Sequence, residues 1–257
     1  MGVTYNNRIV TDGLVLCLDA ASKRSYPGTG TTWTDLKGVN NGTLTNGPTF
    51  DSANGGSIVF DGANDYTNLG NILNDVFAGV DKKFSIMSWV NYNSLDLNGN
   101  SIINKVGDSN FNENQRQFSF QVRNPSNSYG SYELELFTYF NLTVSNYTGY
   151  RTVDADIQTG RFYHFCVSYD GSIDSSDRYG LFVDGVKYSV TSTYTQGSWG
   201  DIQAGNARLA IGASIGQSSS SPISLSDARI GNTSIYNRAL TAEEVRQNYL
   251  STKERYA

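Results

Sequence analysis

The sequence predicts an all-β fold: two packed antiparallel sheets with a short C-terminal helix. Three observations carry this. Short apolar stretches recur between clusters of Gly, Asn, Asp and Ser, which is the punctuation of a sandwich rather than of alternating strands and helices. An Asp-Gly pair joins two such stretches as a hairpin. The one well-marked helix signal lies at the C-terminus.

Taken in order, strands are predicted near residues 14–19, 57–61, 84–91, 101–105, 117–123, 132–137, 162–170, 179–183, 186–190, 208–213 and 234–236. Within 162–170, Tyr163, Phe165, Val167 and Tyr169 share one face because strand side chains alternate. That face is assigned to the core. Within 84–91 both faces carry large apolar groups, so the face with Met87 and Trp89 is expected to lie under a loop or neighbour. Asp184-Gly185 suits a type I′ turn, whose two central residues need positive φ. At the C-terminus Thr241 caps a helix over 242–250, Glu244 completes a capping box, and Leu240 with Val245 forms the hydrophobic staple. The richest low-complexity stretch, GQSSSS at 216–221, is too short for a linker, so residues 1–257 are expected to form one domain.

The composition excludes several classes of function. A net charge of −5 lacks the basic footprint of sequence-independent nucleic-acid binding and disfavours anionic membranes. No apolar run approaches the roughly 20 residues of a membrane span, and residues 1–11 show neither a basic start nor an apolar signal core. Cys17 and Cys166 sit in strand-like apolar runs and are expected to be buried free thiols, a long-range disulfide being the alternative. With His164 the only histidine, a Cys/His zinc site is excluded.

Four segments occur in an order that resembles the laminin-G-like branch of the concanavalin A-like lectin/glucanase superfamily. They are GLVLCLDA with YPGTGTTWTDL and NGTLTNGP (13–48), SIVFDGANDY (57–66), FSIMSWV (84–90) with FYHFCVSYDG (162–171), and IYNRALTAEEVRQNY (235–249). The first and last of these look most like bacteriophage structural proteins. The resemblance implies a two-sheet antiparallel jelly-roll sandwich, concanavalin A-like, and a non-enzymatic virion-surface decoration protein, assembled in the host cytoplasm, present in multiple copies or as a homo-oligomer on capsid or tail proteins, with cell-surface glycans as candidate ligands. A polysaccharide hydrolase or lyase is the alternative from another class, and a ligand-free capsid cement protein is the third.

The candidate chemistry is weighed against that background. Hydrolases of the superfamily place paired carboxylates on one strand face. Here Glu133 and Glu135 share a face, but Leu134 and Phe137 stand where further acids would be, so both are expected to be solvent-facing acids without catalytic work. Asp154 and Asp156 are expected to end a strand or line a turn, and Gly28-Thr29-Gly30 is read as a turn rather than a phosphate loop. His164 and Cys166 point to the same side of one strand, where a structural role is expected in preference to a nucleophilic dyad.

Calcium is the candidate cofactor, because hard cations need several oxygens at a rigid corner, and Asp61-Gly62-Ala63-Asn64-Asp65 offers Asp61, Asp65 and an amide. Family members that bind calcium add an acid before the C-terminal strand; this chain has Gly231 and Asn232 in that phrase. For glycan or partner binding, aromatics that stack on sugar rings and amides that meet hydroxyls concentrate in 129–150, with Tyr129, Tyr132, Tyr139, Asn141, Asn146, Tyr147 and Tyr150. The competing reading is a covered sheet face or a subunit contact.

Overall fold

The computed structural model describes residues 8–96, 100–106, 116–124, 131–140, 146–215 and 221–257. Two antiparallel sheets of eight and nine strands form a sandwich among them. The first runs in the order β14 (Val186–Lys187), β13 (Tyr179–Val183), β12 (Tyr163–Asp170), β7 (Lys83–Tyr92), β17 (Asp227–Tyr236), β5 (Ser57–Asp61) and β4 (Thr49–Asp51), while β1 (Leu14–Asp19) also pairs with β17. The second runs β15 (Val190–Gln196), β11 (Tyr147–Thr152), β10 (Glu133–Tyr139), β9 (Phe118–Arg123), β8 (Asn100–Lys105), β16 (Leu209–Ile211), β6 (Tyr66–Gly70), β3 (Gly42–Thr45) and β2 (Thr32–Trp33). A short helix, α1 (Asn74–Phe77), interrupts the strands, and α2 (Ala242–Thr252) follows the last. No helix among the described residues is long and apolar enough to cross a membrane.

Alternation in the strands builds the core between the sheets. Tyr163, Phe165, Val167 and Tyr169 of β12 join Phe84, Ile86 and Val90 of β7 and Phe118, Phe120 and Val122 of β9 in one buried cluster. Phe77 of α1 plugs into it, with ring centroids 5.2 Å from Phe84 and 4.6 Å from Phe118. The Asp184-Gly185 turn has φ of 51° and 75° at its two central residues, as type I′ requires. Asp154 and Asp156 follow β11 with positive φ, and Gly28 and Gly30 likewise sit in a turn.

Six strands lie where none is predicted: β2, β3, β4, β6, β11 and β15. They are short or polar, and β15 (VTSTYTQ) has no apolar face because its residues are exposed or half-buried at the sheet edge. Pairing with a neighbour, rather than an apolar pattern, makes each a strand.

The outer face of the first sheet is covered by the chain's own C-terminus. The α2 capping box forms as the sequence predicts, with Glu244 N donating to Thr241 Oγ1 and Thr241 N donating to Glu244 Oε2. Leu240 and Val245 pack with Met87, Cys166, Phe182 and Tyr236 beneath the helix. Trp89 is covered in the same way: its Nε1 donates to Thr252 Oγ1 at 2.8 Å and its ring stacks on Tyr256 at 4.6 Å. The register aligns Cys17, Ser234, Met87 and Cys166 across four adjacent strands. Three inter-strand steps of about 4.8 Å separate the cysteines far beyond disulfide reach, and both are buried free thiols.

Candidate functional site

On the second sheet, β9, β10, β11 and β15 turn their apolar residues inward, which leaves the other set on the outer face. The registers place Ser119 beside Phe137, Phe137 beside Gly149, and Gly149 beside Tyr194. One row along, Tyr139 faces Tyr147. Gly149 is the position that makes this packing fit, because a Cβ there would collide with the Phe137 ring. The result is an aromatic platform: Tyr147 stacks on Tyr194 at 5.3 Å and 11°, with Tyr139 at 5.7 Å and Phe137 at 6.2 Å from the Tyr147 ring. The Arg116 guanidinium lies 5.4 Å over Tyr139, within cation–π range. Tyr194 is 51% exposed and forms the open end of the platform.

The predicted binding residues divide. Tyr139 and Tyr147 sit together on this face, and burial pushes the Tyr139 phenol up to about 12. Tyr150 is on the opposite face, stacked on Tyr179 at 4.8 Å and on Trp199 at 6.1 Å. Three residues from Tyr147 within one strand is an odd separation, so the two rings point to opposite sides. Asn146, just before β11, accepts the Phe140 amide through its carbonyl, and its side-chain Oδ1 is buried without a partner. Asn141 and Tyr129 lie outside the described residues, as does most of the GQSSSS stretch. Sequence reasoning missed Tyr194 and Phe137; the alternation of Ser192, Tyr194 and Gln196 along β15 was the signal, without an apolar partner set to mark the strand.

Beside the platform, the outer face is polar yet buried, which corrects the expectation that Glu133 and Glu135 face solvent. They are only 3% and 1% exposed. Donors meet both carboxylates: Ser131 Oγ, Thr152 Oγ1 and Ala155 N donate to Glu133, and Gln121 Nε2 donates to Glu135 Oε2 at 2.8 Å. Burial pushes the Glu135 carboxyl upward, against the opposing pull of Thr193, Gln121, Arg123 and Arg151. Asn104 continues the network, donating to Ser101 Oγ and Ser214 Oγ and accepting from Ser119 Oγ and Phe120 N.

The other candidates resolve differently. Cys166 is fully buried with its thiol pushed far up, and burial pushes His164 down to about 3. A cavity of about 570 Å³ opens beside them under α2, lined among others by Cys17, Asp19, His164, Asn232 and Arg255. At the proposed calcium turn, Asp61 Oδ1 accepts Ala63 N at 2.8 Å and Asn64 N at 3.3 Å, which holds its carboxyl below the usual range. Asp65 is buried, its Oδ1 is unpartnered, and burial with the charge of Asp61 pushes it up. Gly231 gives its space to the Tyr256 ring, and Asn232 donates to the Leu18 carbonyl. Asp227, which pairs with Asp61 across β5 and β17, is occupied by Asn93 and Ser94. Among the described residues no three acid, His or Cys side chains are placed to share a metal.

The chain belongs to the concanavalin A-like lectin/glucanases superfamily: a laminin-G-type family model with that description matches residues 61–246. No curated protein matches it. Among solved structures, Trypanosoma rangeli sialidase in complex with sialic acid is 14% identical with a TM-score of 0.59, over 95% of this chain and 34% of that one. This chain thus spans about a third of the sialidase's length. Domain 4 of an extracellular arabinanase from Geobacillus stearothermophilus, in complex with arabinotriose, is 16% identical with a TM-score of 0.60, over 92% of this chain and 98% of that domain. The binding domain of Paraclostridial Mosquitocidal Protein 1 is 14% identical with a TM-score of 0.59, over 92% and 52% respectively. At these identities the likeness is one of fold.

Proposed function

We propose that this protein is a non-catalytic carbohydrate-binding module that uses the outer face of its second sheet. The observation that carries the reading is the Phe137, Tyr139, Tyr147 and Tyr194 platform. Rigid aromatic rings offer apolar area to a sugar face with few rotamers to freeze, and the surrounding hydroxyls and amides meet sugar hydroxyls. The arabinotriose complex of the arabinanase domain, which the match covers almost whole, supports the same ligand class. Tyr194→Ala and Tyr147→Ala are expected to weaken binding on a glycan array by about ten-fold, the effect of losing a contact of roughly 1.4 kcal/mol, with little change in melting temperature. Blank arrays for the unaltered protein would sink the reading.

The phage-like phrases of the sequence extend this proposal to a virion-surface decoration protein, carried in multiple copies on capsid or tail proteins. Electron microscopy of assembled particles tests that placement, and its absence from purified virions would overturn it.

A hydrolase reading is favoured by one observation, the buried Glu135 with its raised carboxyl. Its weakness is the second carboxylate. Glycoside cleavage needs a partner free to attack or to activate water, whereas Glu133 is held by three donors. Purified protein is expected to leave polysaccharides intact; cleavage abolished by Glu135→Gln would establish the enzyme instead.

A further inference from the structure

Next to the aromatic platform, two guanidinium groups stand without a carboxylate partner. Arg123 ends β9 opposite Glu133, and Arg151 lies on β11 opposite Glu135, so they flank β10 from its two sides. No ion pair among the described residues includes either. Arg123 Nε is buried with no hydrogen-bond partner, and Arg151 Nη1 makes one long contact of 3.5 Å to the Ser192 carbonyl. Both act electrostatically on Glu135, yet burial pushes that carboxyl toward its neutral form and Gln121 occupies one of its oxygens. A guanidinium donor withdrawn from water without a partner is costly.

The arginines are continuous with the platform. Tyr147, Gly149 and Arg151 alternate onto one face of β11, so Arg151 lies about 13 Å along the strand from Tyr147 at roughly 3.3 Å per residue. A chain of sugars that leaves the rings along β11 would pass over Arg151.

We propose that Arg123 and Arg151 make this face selective for acidic saccharides, by holding a sugar carboxylate on guanidinium groups that form no ion pair within the chain; this rests on the reading of the aromatic platform as a saccharide surface. The planar fork of Arg matches a carboxylate with two parallel hydrogen bonds, which a hydroxyl cannot reproduce.

Calorimetric titration of the full chain with three ligands tests this: an oligouronate, the same oligosaccharide with its carboxyls reduced to alcohols, and a sulfated neutral oligosaccharide. The oligouronate is expected to bind about ten-fold or more tighter than its reduced counterpart, as for one charge-assisted hydrogen bond, with the advantage shrinking as salt rises. Arg151→Gln and Arg123→Gln should bring the oligouronate down to the affinity of the neutral ligand. Arg151→Lys, which keeps the charge and loses the fork, should recover part of the advantage. Equal affinity for the acidic and reduced ligands, or arginine variants without effect, would overturn the inference while leaving the saccharide reading intact. A sulfated ligand that matches the oligouronate would overturn carboxylate selectivity in favour of bulk charge. Failure of all three ligands to bind would remove the saccharide reading itself.

Discussion

On the outer face of the first sheet, Met87, Trp89, His164 and Cys166 lie beneath α2 and the C-terminal Tyr256, whereas on the outer face of the second sheet Gln121, Glu135, Tyr147 and Tyr194 carry the polar and aromatic groups. The two sheets share one core, so the difference lies in what each does with its other side. The first buries apolar area that the chain itself covers, which contributes directly to stability. The second carries polar groups and rings, with Tyr194 half exposed at its edge. On the proposed reading, stability and recognition fall on opposite sides of the sandwich.

Substitutions can break that division. The largest effect is expected from Trp89→Ala, which removes a ring 3% exposed and its bond to Thr252. It should cost about 3 to 5 kcal/mol and lower the melting temperature without touching saccharide affinity. An unchanged melting temperature would show that the C-terminal cover is not part of the folded unit.

Acid should act through the same side. His164, 2% exposed, is held neutral down to about 3, while in the unfolded chain it takes up a proton below about 6.5. A depressed folded value means that its contribution is complete above pH 6.5 and is lost as pH falls toward 3, by about 1.4 kcal/mol per pH unit. Urea melts at pH 7 and pH 5 should therefore show His164→Gln losing about 2 kcal/mol less than the unaltered protein over that interval. Equal losses would assign the acid sensitivity to other groups.

The second sheet answers to smaller changes. Gly149→Ala places a methyl against the Phe137 ring, and overpacking of this kind costs about 1 to 3 kcal/mol. It should also weaken saccharide binding, because Phe137 supports Tyr147; a variant with normal affinity would show that the platform does not depend on that seat. The smallest effect is expected at the Asp61 and Asp65 turn, where melts with calcium and with chelator should superimpose. A chelator-induced fall abolished by Asp65→Ala would instead establish an ion bound to the native state.

How much of this was legible in the sequence follows from the range of the forces involved. The β12 core face, the Asp184-Gly185 turn and the α2 capping box are set by alternation, by φ preference and by neighbours three residues apart. Each was readable from a few consecutive letters. The sandwich class followed from their sum, together with the phrases that resemble the superfamily. What only the tertiary structure decided was strand partnership. Tyr147 meets Tyr194 because β11 pairs with β15. Glu133 and Glu135 are buried rather than exposed because Thr152, Ala155 and Gln121 arrive from other segments with hydrogen-bond donors. The partners of β11 and β15 are joined by cross-strand hydrogen bonds between residues some forty positions apart, and such contacts leave no periodic mark on a strand whose own residues are polar.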